Sequence, residues 1–155
     1  MIGLTHAVFG WLLAVFFSLN PAVVMLGALF PDAELILDTP HRGPLHSILL
    51  MLPLCALSYF FLKDYGLSFS VGVFSHLFLD SFTAQGLPVF YPLFNDFFSL
   101  HFYNSDTLNW LVIILSVVLI VNRDKFSKRD LGLKHLLLLF MSWFFVLVTF
   151  KFFFQ

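Results

Sequence analysis

Long apolar runs alternate with short polar stretches along the chain, and the lengths of the runs are those of α-helices. The first two runs, Thr5–Leu19 and Ala22–Phe30, are short and are separated by Asn20-Pro21. Because proline suits the first turn of a helix, this break predicts a helical hairpin. Longer runs follow at His46–Leu62 (with Pro53 inside), Leu67–Phe82, Leu108–Val121 and Leu133–Phe150. The pattern predicts an all-α bundle of about five to six hydrophobic helices.

The composition indicates that these helices lie in a membrane. Of the 155 residues 60% are hydrophobic and 11% are charged, and the mean hydropathy is +0.95. Since a bilayer has no water to satisfy backbone groups, such a chain is expected to form a polytopic membrane helical bundle. We predict one integral membrane domain, 1–155, with a site-bearing part, 1–107, and a C-terminal helical hairpin, 108–155. The net charge of −1 and the lack of a basic stripe argue against a nucleic-acid partner.

The distribution of lysine and arginine predicts the orientation. Cytoplasmic loops carry an excess of these residues. If the spans alternate, Lys63 and the charged loop after Val121 lie on one side, which is then cytoplasmic, and both termini lie outside. The segment Thr83–Asn109, rich in aromatics, is predicted to be interfacial or re-entrant. This topology gathers the residue types that bind metals at the outer ends of their helices: His6, Asp32, His41, His46, His76, Asp80 and His101.

The polar stretch Pro31–Ser47 is the first candidate for a functional site. Ionisable groups beside hydrocarbon are costly, so they usually mark a site. Arg42 offers a planar fork of donors that suits phosphate or carboxylate, although a lipid-headgroup anchor would look the same in sequence. Glu34, Asp38 or a histidine such as His41 is expected as general base. For Glu34 and Asp38 a solvated loop face is the alternative.

His76 and Asp80 are four residues apart and therefore leave the same face of a helix. An imidazole and a carboxylate at this spacing can hold Zn²⁺ or Mn²⁺, with Mg²⁺ a further possibility, or can bridge two ions. The alternative is a His–Asp hydrogen bond between helices. The ligands expected first are Asp32, His46, His76 and Asp80, and His6 and His41 are expected next.

Several motifs together resemble the membrane-bound metal-dependent hydrolases, a family that includes LexA-regulated inner-membrane proteins. The resemblance covers roughly the first ninety residues. It implies an inner-membrane protein with a metal and hydrolytic activity, and it implies no substrate. The family often has an aspartate where this chain has Glu34. The motifs are Thr5-His6, Pro31-Asp32, His41-Arg42-Gly43-x-x-His46-Ser47, Ser75-His76-x-x-x-Asp80, Thr83-x-x-Gly86 and Tyr91-Pro92.

The sequence thus predicts a membrane-embedded, metal-dependent hydrolase that acts at the outer face of the inner membrane. Membrane lipid is the expected partner, and a lipid or lipid-linked phosphoester is the expected substrate. A metal-dependent lipid amidase or peptidase is the alternative enzyme. The rival from another class is a divalent-cation transporter, since transporters also use short helices interrupted by proline. The clustering of the ligands towards one face argues against a transport path.

Overall fold

The computed structural model describes residues 2–37, 42–100 and 105–123, together with the single residues 142 and 145. Two short 3-10 helices, Pro31–Leu37 and Pro44–His46, lie between the second and third α-helices. Within these ranges there is no strand, and the one β-type pairing is a bridge between Leu87 and Phe98. The predicted all-α class is confirmed. The α-helices are α1 Gly3–Phe17, α2 Pro21–Leu29, α3 Ile48–Leu62, α4 Asp64–Ser81 and α5 Ser105–Val121.

The helices differ from the apolar runs mainly at their ends. His46 lies in a 3-10 helix before α3, whereas the sequence predicted it at the start of the long helix. The turn between α3 and α4 contracts to Lys63, whose positive φ of 50° lets α4 begin at Asp64. In the part of the chain that the structure describes, no helix combines the length and the apolarity needed to cross a membrane. The predicted span Leu133–Phe150 lies outside the described residues.

Helix α4 is the element against which α1, α2 and α3 pack. Gly27 of α2 and Gly72 of α4 let the two backbones touch, because a Cβ on Gly72 would overlap the carbonyl oxygen of Val24. This close approach sets the end of α2 beside the last turns of α4. On the other side, Asn109 of α5 accepts a hydrogen bond from the Thr5 hydroxyl of α1 at 2.8 Å.

The segment that follows α4 folds back over the end of the bundle at which α4 terminates, near Ser81. Leu87 and Phe98 exchange backbone hydrogen bonds of 2.8 Å in both directions. The Ser47 hydroxyl lies 3.2 Å from the carbonyl oxygen of Val89 and donates to that of Tyr91 at 2.7 Å. The part of the segment around Val89 and Tyr91 is therefore held against Ser47, at the start of α3. The predicted interfacial segment ends earlier than expected, because α5 already begins at Ser105.

Two helices present large apolar side chains to their surroundings. On α3, Phe60 and Phe61 are 66% and 71% exposed, and on α5, Trp110 and Ile114 are 61% and 60% exposed. Soluble monomers rarely expose contiguous apolar patches of this kind, which mark contact with a membrane or with another protein. The buried side of the bundle is a separate apolar core that includes Ile48, Met51, Cys55, Val73 and Leu77.

Candidate metal centre

Five predicted ligand side chains converge at one end of the bundle, each from a helix terminus or a short connecting helix. His6 comes from the first turns of α1, Asp32 from the 3-10 helix after α2, and His46 from the 3-10 helix before α3. His76 and Asp80 lie one turn apart at the end of α4. The three histidines are fully buried, Asp80 is 1% exposed, and the Asp32 side chain is 19% exposed.

The hydrogen bonds of two histidines fix which ring nitrogen faces the centre. His76 Nδ1 lies 2.7 Å from the carbonyl oxygen of Ala28, which can only accept, so Nδ1 carries the hydrogen. His46 Nδ1 lies 3.0 Å from Glu34 Oε2. Glu34 also accepts from the backbone N–H groups of Gly43, at 2.8 Å, and of Leu45. Because these donors favour an ionised carboxylate, His46 Nδ1 is a donor too. Both Nε2 atoms are then acceptors.

These two Nε2 acceptors face each other at 3.2 Å. Two lone pairs at that distance repel unless a proton or a cation lies between them. Asp32 Oδ1 lies 3.8 Å from His46 Nε2 and 3.7 Å from His76 Nε2. Asp80 Oδ2 lies 3.7 Å from each of them. In tetrahedral zinc sites with bonds of about 2.0–2.1 Å, ligand atoms are roughly 3.3–3.4 Å apart. One ligand atom each of His46, His76 and Asp80 lie within 4.8 Å of one another, and Asp32 Oδ1 approaches both histidines, so these residues could hold a divalent cation.

Burial of His46 favours the form that binds metals. Removal from water lowers the pKa of His46 below its ordinary value, and this outweighs the opposite influence of Asp80, Glu34 and Asp32. The neutral imidazole is the form that coordinates a metal, because a protonated ring has no free lone pair. The environment thus keeps His46 ready to act as a ligand near neutral pH.

Arg42 is tied to the centre rather than pointing away from it. It has a positive φ of 66°, its Nη2 lies 3.0 Å from Asp80 Oδ2, and its Nη1 donates to Thr83 Oγ1 at 2.7 Å and to the Gly86 carbonyl at 2.5 Å. Burial lowers the pKa of Arg42 while Asp80 and Asp32 raise it. Since an arginine pKa starts above about 12, the guanidinium remains charged. It balances the buried carboxylate of Asp80.

A comparison with protein-family models decides the family. Residues 1–153 match the model described as YdjM inner membrane protein. The chain belongs to this family. Comparisons with curated proteins and with solved structures found no match. Family membership confirms the inner-membrane part of the resemblance drawn from the motifs, and the family description names no reaction and no substrate.

Of the remaining predicted site residues, Glu34 and Arg42 lie within the described part of the chain. Glu34, expected as a general base, is 2% exposed and has its oxygens engaged by His46 and two backbone N–H groups. Arg42, expected to hold an anionic substrate, contacts Asp80, Thr83 and Gly86. Asp38, His41 and His101 lie outside the described residues.

One participant has no signal in the sequence. The backbone carbonyl of Ala28 orients His76, and any residue at that position would supply the same oxygen. Thr83 and Gly86 do have a signal, because both belong to the Thr83-x-x-Gly86 motif, but the motif does not show that they bind Arg42.

Proposed function

We propose that this chain is a polytopic, integral inner-membrane enzyme, a metal-dependent hydrolase. Its divalent cation, Zn²⁺ in the first place and Mn²⁺ or Mg²⁺ as alternatives, is held by Asp32, His46, His76 and Asp80. The observation that carries the proposal is the pair of Nε2 acceptors 3.2 Å apart, with an oxygen of each carboxylate within 3.8 Å. Nitrogen and oxygen donors at these separations are the set that Zn²⁺ uses in hydrolases.

Placement in the membrane is supported by the exposed side chains and by the family. The apolar faces of α3 and α5 would be costly in water and are favourable against lipid. Lys63 and the basic residues of the loop after Val121 give the predicted cytoplasmic side an excess of lysine and arginine. This excess supports a site on the opposite, outer side. With this orientation the start of α1, the end of α4 and the two 3-10 helices all lie at the outer membrane surface.

The burial of the ligands suggests the side from which substrate and water approach. A bound divalent cation supplies Lewis acidity and lowers the pKa of a coordinated water molecule. With four protein ligands, a water molecule would take a fifth position, as catalytic zinc sites sometimes allow. Asp32 is the one partly exposed member of the ligand set, so water and substrate would approach on its side. His46, His76 and Asp80 close the other sides.

Two residues that the sequence suggested for chemistry act in this proposal as positioning residues. Glu34 fixes the tautomer and the orientation of His46, as carboxylates beside metal-binding histidines commonly do. To serve as a general base it would have to release these contacts. Arg42 holds Asp80 and fastens the Thr83–Gly86 turn. Its charge still favours an anionic group beside Asp80.

A lipid or lipid-linked phosphoester is the substrate class that this location supports. The turn that follows Gly86 carries Leu93, Phe94 and Phe97, which are 69%, 61% and 48% exposed and lie on the segment fixed over the site end. Exposed aromatic and aliphatic side chains at this level suit the boundary between headgroups and acyl chains. A lipid amide or a peptide would fit the same surface but would make no use of the positive charge of Arg42.

The arrangement is less suitable for a divalent-cation transporter. A cation leaving the site past the end of α4, on the Thr83–Gly86 side, would pass the buried guanidinium of Arg42, which lies 3.0 Å from Asp80. Like charges in a buried environment repel strongly. An uptake assay in proteoliposomes with Zn²⁺ and Mn²⁺ tests this rival, and accumulation that depends on His76 would favour it over hydrolysis.

The test of the hydrolase is an assay of the protein purified in detergent. The panel contains phospholipids, lipid-linked phosphates and ceramide-like amides. We expect hydrolysis of a phosphoester that a chelator abolishes and Zn²⁺ or Mn²⁺ restores. Asp32→Asn should lower kcat/KM by at least about 100-fold, because it removes the charge of a ligand and loss of an outer-shell partner alone costs about 10–100-fold. Hydrolysis confined to amides would overturn the phosphoester assignment, and activity that resists chelation would overturn the metal mechanism.

A further inference from the structure

His6 is the histidine of the centre whose hydrogen bonds are not accounted for. Its side chain is fully buried, Nδ1 has no hydrogen-bond partner among the described residues, and the polar contact of Nε2 is a long one of 3.3 Å to Asp80 Oδ1. A buried polar group without a partner costs free energy, so each instance calls for an explanation. The ring lies flat on that of His76, with centroids 3.8 Å apart and planes 17° apart.

The carboxylate of Asp80 faces two different sets of nitrogen atoms. Its Oδ2 lies 3.7 Å from the Nε2 atoms of both His46 and His76. Its Oδ1 lies 3.3 Å from His6 Nε2, close to the roughly 3.3 Å between neighbouring ligands of one zinc ion. A carboxylate whose two oxygens serve different nitrogen donors has the arrangement of a ligand that bridges two cations.

The stacking of the two rings sets the spacing that two such cations would have. The Nε2 atoms of His6 and His76 both face the Asp80 carboxylate, and an imidazole binds a metal in the plane of its ring. Cations on these two atoms would therefore be separated by about the stacking distance of 3.8 Å. Two-metal hydrolytic sites have their ions about 3.5–4 Å apart. In addition, one ligand atom each of His6, Asp32 and His76 lie within 4.8 Å of one another.

We propose that the centre holds two divalent cations, the second bound by His6 and Asp80 Oδ1 with Asp32 beside them. This inference rests on the metal centre proposed above. Asp80 would then bridge the two cations, and the 3.3 Å separation of His6 Nε2 and Asp80 Oδ1 would be that of two ligands of one cation. Two dications and Arg42 outweigh the charges of Asp32, Asp80 and Glu34, so the centre attracts an anionic substrate, in agreement with a phosphoester.

Loading the full-length protein with Mn²⁺ in detergent tests the second cation. Unbound metal is removed by gel filtration, and the metal content per chain and the electron paramagnetic resonance spectrum are recorded. The wild type should hold two Mn²⁺ ions with the spectrum of a spin-coupled pair, because ions at this spacing interact. His6→Phe keeps an aromatic ring against His76 and removes both nitrogens, so it should hold one ion with an uncoupled spectrum. Asp64→Asn, at the other end of α4, should behave like the wild type.

The outcomes separate the second cation from the metal centre itself. One ion per chain in the wild type, with an uncoupled spectrum, would overturn the two-cation inference and leave the proposed hydrolase standing. No bound ion in the wild type would overturn both. Two coupled ions in His6→Phe would exclude His6 as the ligand. Should His6→Phe fail to be extracted as folded protein, the wild-type spectrum alone still decides.

Discussion

The two ends of the α1–α4 bundle both carry polar side chains, and they use them differently. At the end opposite the candidate centre, the Asn20 side chain caps α2 by accepting from the Val23 N–H at 3.2 Å. The Ser68 hydroxyl donates to the Asp64 carbonyl at 2.8 Å and accepts from the Asn20 N–H at 3.2 Å. These polar side chains satisfy backbone groups at helix ends, which is a structural task.

At the other end, side chains face one another instead of the backbone. His46 and His76 present acceptor nitrogens to each other, and Asp80 meets His6, Arg42 and both of those rings. Backbone and side-chain partners such as the Ala28 carbonyl and Glu34 serve to orient these rings. Polar residues in apolar helices therefore do not by themselves indicate a functional site. A functional site is indicated by a set of donor atoms directed at a common point.

The largest effect should follow from removal of a ligand. His76→Gln removes an imidazole nitrogen, and Asp80→Asn removes the charge of a carboxylate that three histidines and Arg42 face. Since loss of outer-shell partners already costs about 10–100-fold in metal affinity, each variant should lose more than about 100-fold. Competition with a fluorescent chelator on purified protein measures this loss.

The matched control for Asp80→Asn is Asp64→Asn, the same chemical change at the opposite end of α4. Asp64 is exposed in the first turn of the helix, so metal affinity should be that of the wild type. If both variants bound metal as the wild type does, the two ends would be equivalent and the comparison would fail.

A smaller loss should follow from Glu34→Gln. The amide keeps the shape of the side chain, but its nitrogen cannot accept from Gly43 or Leu45, and the charge that holds His46 Nδ1–H is gone. Metal affinity should fall by about 10–100-fold, the usual effect of a partner that orients a ligand. A loss as large as that of His76→Gln would instead indicate that Glu34 is itself a ligand.

Arg42→Lys should have a smaller effect still. Lysine keeps a positive charge near Asp80 but cannot reach Asp80, Thr83 and Gly86 at once. Each hydrogen bond lost is worth about 0.5–1.5 kcal/mol. Because Arg42 influences the metal only by positioning Asp80, the metal affinity should fall by less than about tenfold. Thermal unfolding in detergent should show the loss more clearly than metal titration. An unchanged Tm would contradict the contacts of Arg42.

The apolar runs predict most of the fold, because helix length and apolar content are local properties. The runs Thr5–Leu19 and Leu108–Val121 each match an α-helix to within a few residues. The common location of His6, His46, His76 and Asp80 is also expected from the sequence, because alternating helices bring these residues to the same end of the bundle. A topology is enough to say which helix ends are neighbours.

The contacts that individual side chains make within the site could not be predicted in the same way. Glu34 and Asp32 are two residues apart and alike in chemistry, yet Glu34 contacts backbone N–H groups and His46 Nδ1, whereas Asp32 lies near the Nε2 atoms of His46 and His76. The course of the 3-10 helix Pro31–Leu37 and of the turn at Gly43 determines this difference. Arg42 likewise turns inward because of a backbone conformation with positive φ, which residue identity does not indicate for arginine.

The smallest effect on the metal, and a measurable effect on stability, should come from Asn20→Ala. Its side chain caps the first turn of α2, and replacing a capping asparagine by alanine usually costs about 1 kcal/mol. Helix α2 also carries Ala28, whose carbonyl orients His76, so a shift of the whole helix would reach the metal centre. The contact between Gly27 and Gly72 fixes the far half of α2 independently of the cap. We therefore expect a lower Tm with wild-type metal affinity. A metal affinity that fell together with the Tm would show that the two ends of the bundle are coupled through α2.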